Sequence, residues 1–411
     1  MMQQSGPHLP FLYKGIGFLL FLHSIFAWFL FGVTWNVVLL CSWGLLAVWI
    51  LMQGRTYLNS PLTVTNFCVL LLLPICYLYL AKYQNAVMWC RGLMIAGELG
   101  IFWMLKDTYK MEMFDFISRY FCLLLAVSEI AWILYLLHVP LPSSQFSYGH
   151  SDGLVFFQYY FFLTRFAGET LAYRFQAFLA EPGHVATFTV FLLLPNLYLR
   201  KYRRCFIMAA AILLSLSLAG LILSGIALTS MILLQQKGSR KIFLLTGLTF
   251  CVILSGVILF QLPEDNLVRR RTIERLRQDD DNMIAGNTRT TENFDTFFEK
   301  EVCSRPLYLW FGYPRESGEE FEGHSAGYKA FIARNGLAGI LLAILLYEAL
   351  TRRYRNRFLN LMLFLYACSF LQRHYVFTEA VLMTLMTGAV AFNQKNLEVS
   401  DDKKTESPDL P

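Results

Sequence analysis

The residues whose types and spacing could do chemistry fall in two stretches, Arg174 to His184 and Arg269 to His324. The first reads Arg174-Phe-Gln-Ala-Phe178-Leu-Ala-Glu181-Pro182-Gly183-His184. A guanidinium grips phosphate through paired hydrogen bonds, and a carboxylate accepts a proton from a hydroxyl or orients it. On a helix, the spacing of Arg174 and Glu181 puts both on one face nearly two turns apart. Pro182 favours a helix beginning at that point, which leaves Glu181 where the helix dipole stabilises a carboxylate. Two readings of Glu181 stay open: a capping group, or a group that acts on a substrate hydroxyl. Arg174 is either a phosphate ligand or a side chain that snorkels to the membrane surface. His184 reads as a packing or hydrogen-bond partner.

The second stretch opens with Arg269-Arg270-Arg271, continues through Arg275 and Arg277 to Asp279-Asp280-Asp281, and then reaches Arg289. Such a run forms either a solvated helix whose charges pair locally or a cradle for an anionic headgroup or a lipid-linked pyrophosphate. His324 follows, just before an apolar segment, where an imidazole exchanges a proton near neutral pH or is simply solvated.

These residues are embedded in a chain of 411 residues that is 56% hydrophobic, 16% aromatic and only 16% charged, with a mean hydropathy of +0.46. Soluble domains carry about 25% charged residues, so a soluble enzyme, a disordered scaffold and a nucleic-acid binder are excluded. A bilayer span takes roughly 20 apolar residues. Apolar windows predict spans near 15–32, 35–52, 62–80, 86–105, 117–138, 184–199, 205–220, 221–236, 241–261, 333–350, 357–371 and 376–393. The expectation is an all-α integral membrane fold of about 12 transmembrane helices, one polytopic domain over 1–395, with 396–411 a disordered cytoplasmic tail. The first span is too long for a cleavable signal peptide and no small-residue cleavage site follows it.

Basic residues in short loops are retained on the cytoplasmic side. The clusters Lys106/Lys110, Arg200–Arg204, Lys237/Arg240/Lys241 and Arg352–Arg357 all fall inside if both termini are cytoplasmic, and the short outside loops then hold only Lys82 and Arg373. Because basic clusters bracket 205–236, the chain must cross that stretch an even number of times. Two short helices are expected there, with Gly220, Gly225, Ser215, Ser217 and Ser224 permitting close packing. The long loops, 139–183 and 262–332, face outward, and chemistry is expected on that side. The aromatic stretch 155–162 predicts helices lying at the interface. Eight cysteines sit in apolar runs as small hydrophobes and only Cys303 in a polar loop. No metal site or cofactor is indicated. Within the spans stand Arg91, Glu98, Arg119, Glu129, Glu348 and Glu379, fewer and less organised than a transporter path requires.

The order of these features resembles the O-antigen polymerase and ligase superfamily, most closely the Wzy-type polymerases. The matching features, in chain order, are Arg174, Phe178, Glu181 and Pro182 at the head of a span; Leu214-Ser215-Leu-Ser217-Leu-Ala-Gly220 in a short span; Trp310-Phe311-Gly312-Tyr313 after the large loop; and His324 ahead of Gly336-Leu337-Ala338-Gly339. The resemblance covers roughly 160–345. It implies a GT-C-like, metal-independent membrane glycosyltransferase at the outer face of the bacterial inner membrane. The enzyme would polymerise undecaprenyl-pyrophosphate-linked oligosaccharide repeat units into a surface polysaccharide, with membrane lipid and a chain-length regulator as further partners. In that frame Arg174 and Arg289, then Arg269, Arg270 and Arg271, would neutralise the pyrophosphate. His324 would be the first choice and Glu181 the second to activate the acceptor hydroxyl. This chain has Ser325 after the histidine where the family often has Asn. A ligase that moves glycan onto a lipid A core uses the same donor, and a transporter or flippase of the lipid-linked glycan is the reading from a different class.

Overall fold

The computed structural model describes residues 8–30, 35–61, 63–148, 154–166, 174–263, 266, 269, 292–314, 327–373 and 375–405. They are mostly helical. Among the described residues, five helices are long and apolar enough to cross a membrane: Ala86–Met104, Asp107–Leu136, Leu218–Gln235, Gly238–Ile258 and Gly327–Tyr354. Shorter apolar helices accompany them, among them Phe11–Ser24, Val64–Leu80 and Arg357–Gln372. This is the architecture of a multi-pass membrane protein.

In chain order the helices are α1 (Phe11–Ser24), α2 (Trp35–Tyr57), α3 (Val64–Leu80), α4 (Ala86–Met104) and α5 (Asp107–Leu136), followed after a small sheet by α6 (Pro182–Tyr198), α7 (Tyr202–Leu214), α8 (Leu218–Gln235) and α9 (Gly238–Gln261). Then come two short helices, α10 (Glu292–Phe297) and α11 (Pro306–Phe311), and three long ones, α12 (Gly327–Thr351), α13 (Arg357–Gln372) and α14 (Glu379–Thr405). Local capping sets several starts. Asn85 accepts from the Met88 amide at 3.1 Å, and Asn356 accepts from the Phe358 and Leu359 amides at 3.0 Å, each satisfying donors that a helix start leaves open. Pro182 opens α6 as the sequence predicts, with Glu181 in an extended conformation at the cap.

The centre of the bundle is α6 and the first half of α14. Every residue of α6 except Leu197 is buried, and 380–392 are buried throughout. Around them the chain turns repeatedly at its basic clusters, and three of these turns meet at one end. Arg204 bonds Asp115 at 2.7 Å, while Arg353 and Tyr354 reach Asp107 at 3.3 and 2.6 Å. Lys110 is only 1% exposed there. Its ammonium rests 4.1 Å from the Trp103 ring centroid and 3.3 Å from the Tyr354 hydroxyl, so a charge expected in solvent is instead spent on locking α5 to the α12–α13 turn.

The expected pair of short helices between 205 and 236 is present, with the break at Ser215–Ser217. Leu216 has φ 47°, and Ser217 caps α8. At 13 residues, α7 is about 20 Å long, short of the ~30 Å hydrocarbon layer. Gly220 lets α8 approach α6: a Cβ there would lie 2.2 Å from that of Ala186. Reporter fusions ending at Lys201 and at Lys237 are expected to read the same, cytoplasmic, compartment. If either reads as exported, the paired-helix arrangement fails.

Two expectations are corrected. Residues 155–162 are not interfacial helices: β1 (Ser143–Tyr148), β2 (Leu154–Tyr159) and β3 (Leu163–Phe166) form an antiparallel sheet in that order. Aromatic residues favour strands when they can pair across them, and Phe146 lies directly opposite Phe156 with ring centroids 5.4 Å apart. Residues 174–181 are not helical either. Ala177 has φ 49°, and Leu179 pairs across to Ala27, so Arg174 and Glu181 share no helix face. The backbone of α14 is helical to Thr405.

Candidate functional site

At the end of the bundle opposite the basic turns lies a cavity of about 390 Å³. It is built where helix ends meet: the end of α1 (His23), the α3–α4 turn (Tyr83), the start of α4 (Arg91), the upper part of α12 (Arg334), and the approach to α14 (Tyr375, Glu379). Long-range hydrogen bonds hold these ends. Ser24 Oγ accepts the Ala380 amide at 2.9 Å, Tyr77 donates to the Phe377 carbonyl at 2.7 Å, and Tyr347 donates to the Val376 carbonyl at 2.7 Å. Arg91 and Glu379 are close enough to interact electrostatically, and Glu379 stands in the first turn of α14, where the helix dipole favours a carboxylate. Arg334 is exposed. The hollow therefore combines two guanidiniums, a carboxylate, an imidazole and three phenols, those of Tyr83, Tyr313 and Tyr375.

Its α12 wall rests on a backbone interlock. Gly336 interrupts the helix with φ 66° and ψ −177°, and Gly312, with φ 82°, faces it. A Cβ on Gly336 would lie 2.2 Å from the Trp310 carbonyl oxygen, and one on Gly312 would lie 2.3 Å from that of Arg334. The break releases the Asn335 carbonyl from the helical ladder, and Tyr79 donates to it at 2.6 Å. Tyr313 donates its amide to Ala333 at 2.7 Å, and Tyr83 its hydroxyl to Gly312 at 3.2 Å. Thus the Trp310–Tyr313 and Gly336–Gly339 motifs, separate in sequence, are packed against each other beside the cavity.

Lys82 sits on the same rim, with its ammonium 3.7 Å from the Tyr79 ring centroid and 3.5 Å from the Asn335 carbonyl. Burial lowers its pKa to about 8, since desolvation disfavours the charged form. The amine is therefore unprotonated above about pH 8. Labelling by a membrane-impermeant amine reagent, followed across pH at Lys82 by mass spectrometry, is expected to show a midpoint near 8. A midpoint near the ordinary lysine value of ~10.4 would contradict the burial.

Tyr375 links the cavity to a second polar group. Arg373, 8% exposed, bonds Glu181 Oε2 at 2.5 Å and the Tyr375 hydroxyl at 2.6 Å. His184 Nε2 lies 4.0 Å from the same carboxylate oxygen, with its ring 5.5 Å from that of Tyr375. Burial works against the charge on Arg373, but Tyr375 and Glu181 more than offset it and raise its pKa. Gly183 makes room: a Cβ there would come within 2.4 Å of the guanidinium.

The site residues expected from sequence are distributed unevenly. Glu181 belongs to the Arg373 network. Arg174 is buried and donates to the Ser215 and Leu216 carbonyls at 3.1 and 3.4 Å, beyond the end of α7. Arg269 turns back on the end of α9, bonding the Leu262 carbonyl at 2.6 Å and that of Phe260 at 3.3 Å. Both guanidiniums serve carbonyls that helix ends leave without amide partners, and neither lines the cavity. Arg270, Arg271, Arg289 and His324 lie outside the described residues. His324 stands three residues before Gly327 in sequence, where an added Cβ would lie 2.3 Å from the Arg373 amide nitrogen. The residues missed were Arg373, Arg334 and the electrostatic proximity of Arg91 to Glu379. The available signal was that each stands at an end of a span on the same expected side. No family model, curated protein or solved structure matches the chain.

Proposed function

We propose that the chain is a membrane glycosyltransferase of twelve spans. In this reading it joins undecaprenyl-pyrophosphate-linked oligosaccharide repeat units into a surface polysaccharide at the outer face of the bacterial inner membrane. The observation that carries the proposal is the gathering of Arg91 and Arg334 around one hollow with Glu379, at the end away from the basic turns. Transfer from a lipid-linked pyrophosphate needs the leaving group's negative charge stabilised, and fixed guanidiniums at a helix-lined mouth do this. It also needs a group to take the acceptor hydroxyl's proton. His324, ahead of Gly327, and Glu379 within the hollow are the two candidates. Arg174 and Glu181 then act by position: Arg174 fixes the α7–α8 turn, and Glu181 holds Arg373 and through it Tyr375 at the cavity wall. Both termini are cytoplasmic in this arrangement.

A transporter of lipid-linked glycan is supported by one observation, that Arg91 and Glu379 are both intramembrane charges on one cavity. Of the other intramembrane charges, Glu98, bonded to Ser42, stands within electrostatic reach of Glu379, whereas Glu348 pairs with Arg355 and Arg119 lies in a separate cleft. A ligase differs from a polymerase only in its acceptor. The deciding experiment is reconstitution of the full chain with a defined undecaprenyl-pyrophosphate repeat unit. Dimers and longer chains support the polymerase. Transfer only to a lipid A core supports the ligase, and movement of unextended units across the bilayer supports the transporter.

A further inference from the structure

At the basic end of the bundle, α1 and α5 enclose a second cleft of about 580 Å³. We propose that it binds the phosphate of an anionic membrane phospholipid, whose acyl chains leave along the aromatic wall of the cleft. The inference is independent of the reaction at the other end.

Two cations from different helices line this cleft, Lys14 of α1 and Arg119 of α5. The acids around it are already engaged. Glu112 accepts from the Leu9 amide at 3.1 Å and pairs with His8 at 3.3 Å and Lys14 at 3.5 Å, while Asp115 pairs with Arg204 at 2.7 Å. Arg119 is exposed and has no hydrogen bond or ion pair among the described residues. It stands about 18 Å along α5 from Asp107 at 1.5 Å per residue, near the head of the span expected from 117, where an unpaired charge is costly. A phosphate supplies what the site lacks, two oxygens and a counter-charge for the Arg119 guanidinium fork, and Lys14, held beside Glu112 at 3.5 Å, stands next to it as a second cation.

The remaining wall selects a lipid over the free ion. Phe11 is 69% exposed, meeting Phe116 edge-on at 5.5 Å, and Phe116 packs on Tyr120 at 4.4 Å. Aromatic rings beside a cationic hollow suit an amphipathic ligand and give inorganic phosphate nothing. Basic pockets between helices on one membrane face bind anionic headgroups by this logic.

The test is thermal unfolding of the full chain in nanodiscs. Exchanging phosphatidylcholine for phosphatidylglycerol is expected to raise the melting temperature by about 4 °C, since a ligand that binds only the folded state stabilises it. Arg119→Gln is expected to lose most of that shift. Arg203→Gln, which removes an equal charge at the same end but outside the cleft, is expected to keep it. Inorganic phosphate at millimolar concentration is expected to have no effect. The proposal is overturned if Arg119→Gln keeps the full shift, if Arg203→Gln loses as much, or if inorganic phosphate reproduces the effect. Native mass spectrometry provides a second readout, with retained phosphatidylglycerol expected to fall about tenfold in Arg119→Gln.

Discussion

Cells carrying Arg91→Gln are expected to make no long-chain polysaccharide while keeping normal protein levels and single-repeat lipid-linked units. Arg91 lies half-buried in the wall of the cavity beside Glu379. If it stabilises charge on the departing pyrophosphate, its loss removes an interaction that strengthens as the bond breaks. Removing one such preorganised donor costs about 10²–10³ in rate. Arg334→Gln, from the α12 wall, is expected to behave alike. The measurement is the ladder of chain lengths on a gel, with the single-repeat units assayed for accessibility at the outer face. A normal ladder from both variants takes the cavity out of the mechanism. Single-repeat units that no longer reach the outer face would point to transport.

The second large effect is structural. Gly336→Ala is expected to destabilise the protein by roughly 3 kcal/mol and lower its melting temperature in detergent by about 5 °C. The conformation at Gly336 is one that essentially only glycine adopts, and the added methyl would meet the Trp310 carbonyl. Either the α11 segment moves away or the break in α12 closes, and in both cases Tyr79 loses its bond to the Asn335 carbonyl. Gly225→Ala is the control: nothing lies within 4 Å of its Cβ position, so stability should be unchanged or slightly higher. Equal melting temperatures for the two variants would mean that the interlock does not hold the cavity wall.

Much of the frame was legible because it rests on local signals. Apolar windows marked the helices, Glu181-Pro182 marked the start of α6, and basic turns bracketing 205–236 required two helices where one long helix was the simpler reading. The sheet was not legible, because the pattern at 143–166 becomes a strand signal only when Phe146 pairs with Phe156. Side-chain direction was also hidden. Arg174 and Arg269 have the composition of phosphate ligands, yet the carbonyls they serve belong to helix ends set by the packing of the whole chain. Arg373 looked like an isolated outside charge because its partner, Glu181, is 192 residues away in sequence. The Gly312 and Gly336 motifs were visible separately, and what joined them was a backbone contact that neither motif encodes alone.

Of the helices described, α9 differs most from α6. Its side chains stand open along its length, Ile242 at 68%, Phe243 at 76% and Phe250 at 62% among them, whereas α6 is enclosed on every side. A segment that touches few neighbours is shaped by solubility in oil and little else. Drift from one aliphatic residue to another should go unnoticed along α9, and the same exchanges inside α6 would each leave a void or a clash. The two helices should therefore age at different speeds in sequence, the outer one quickly and the inner one hardly at all.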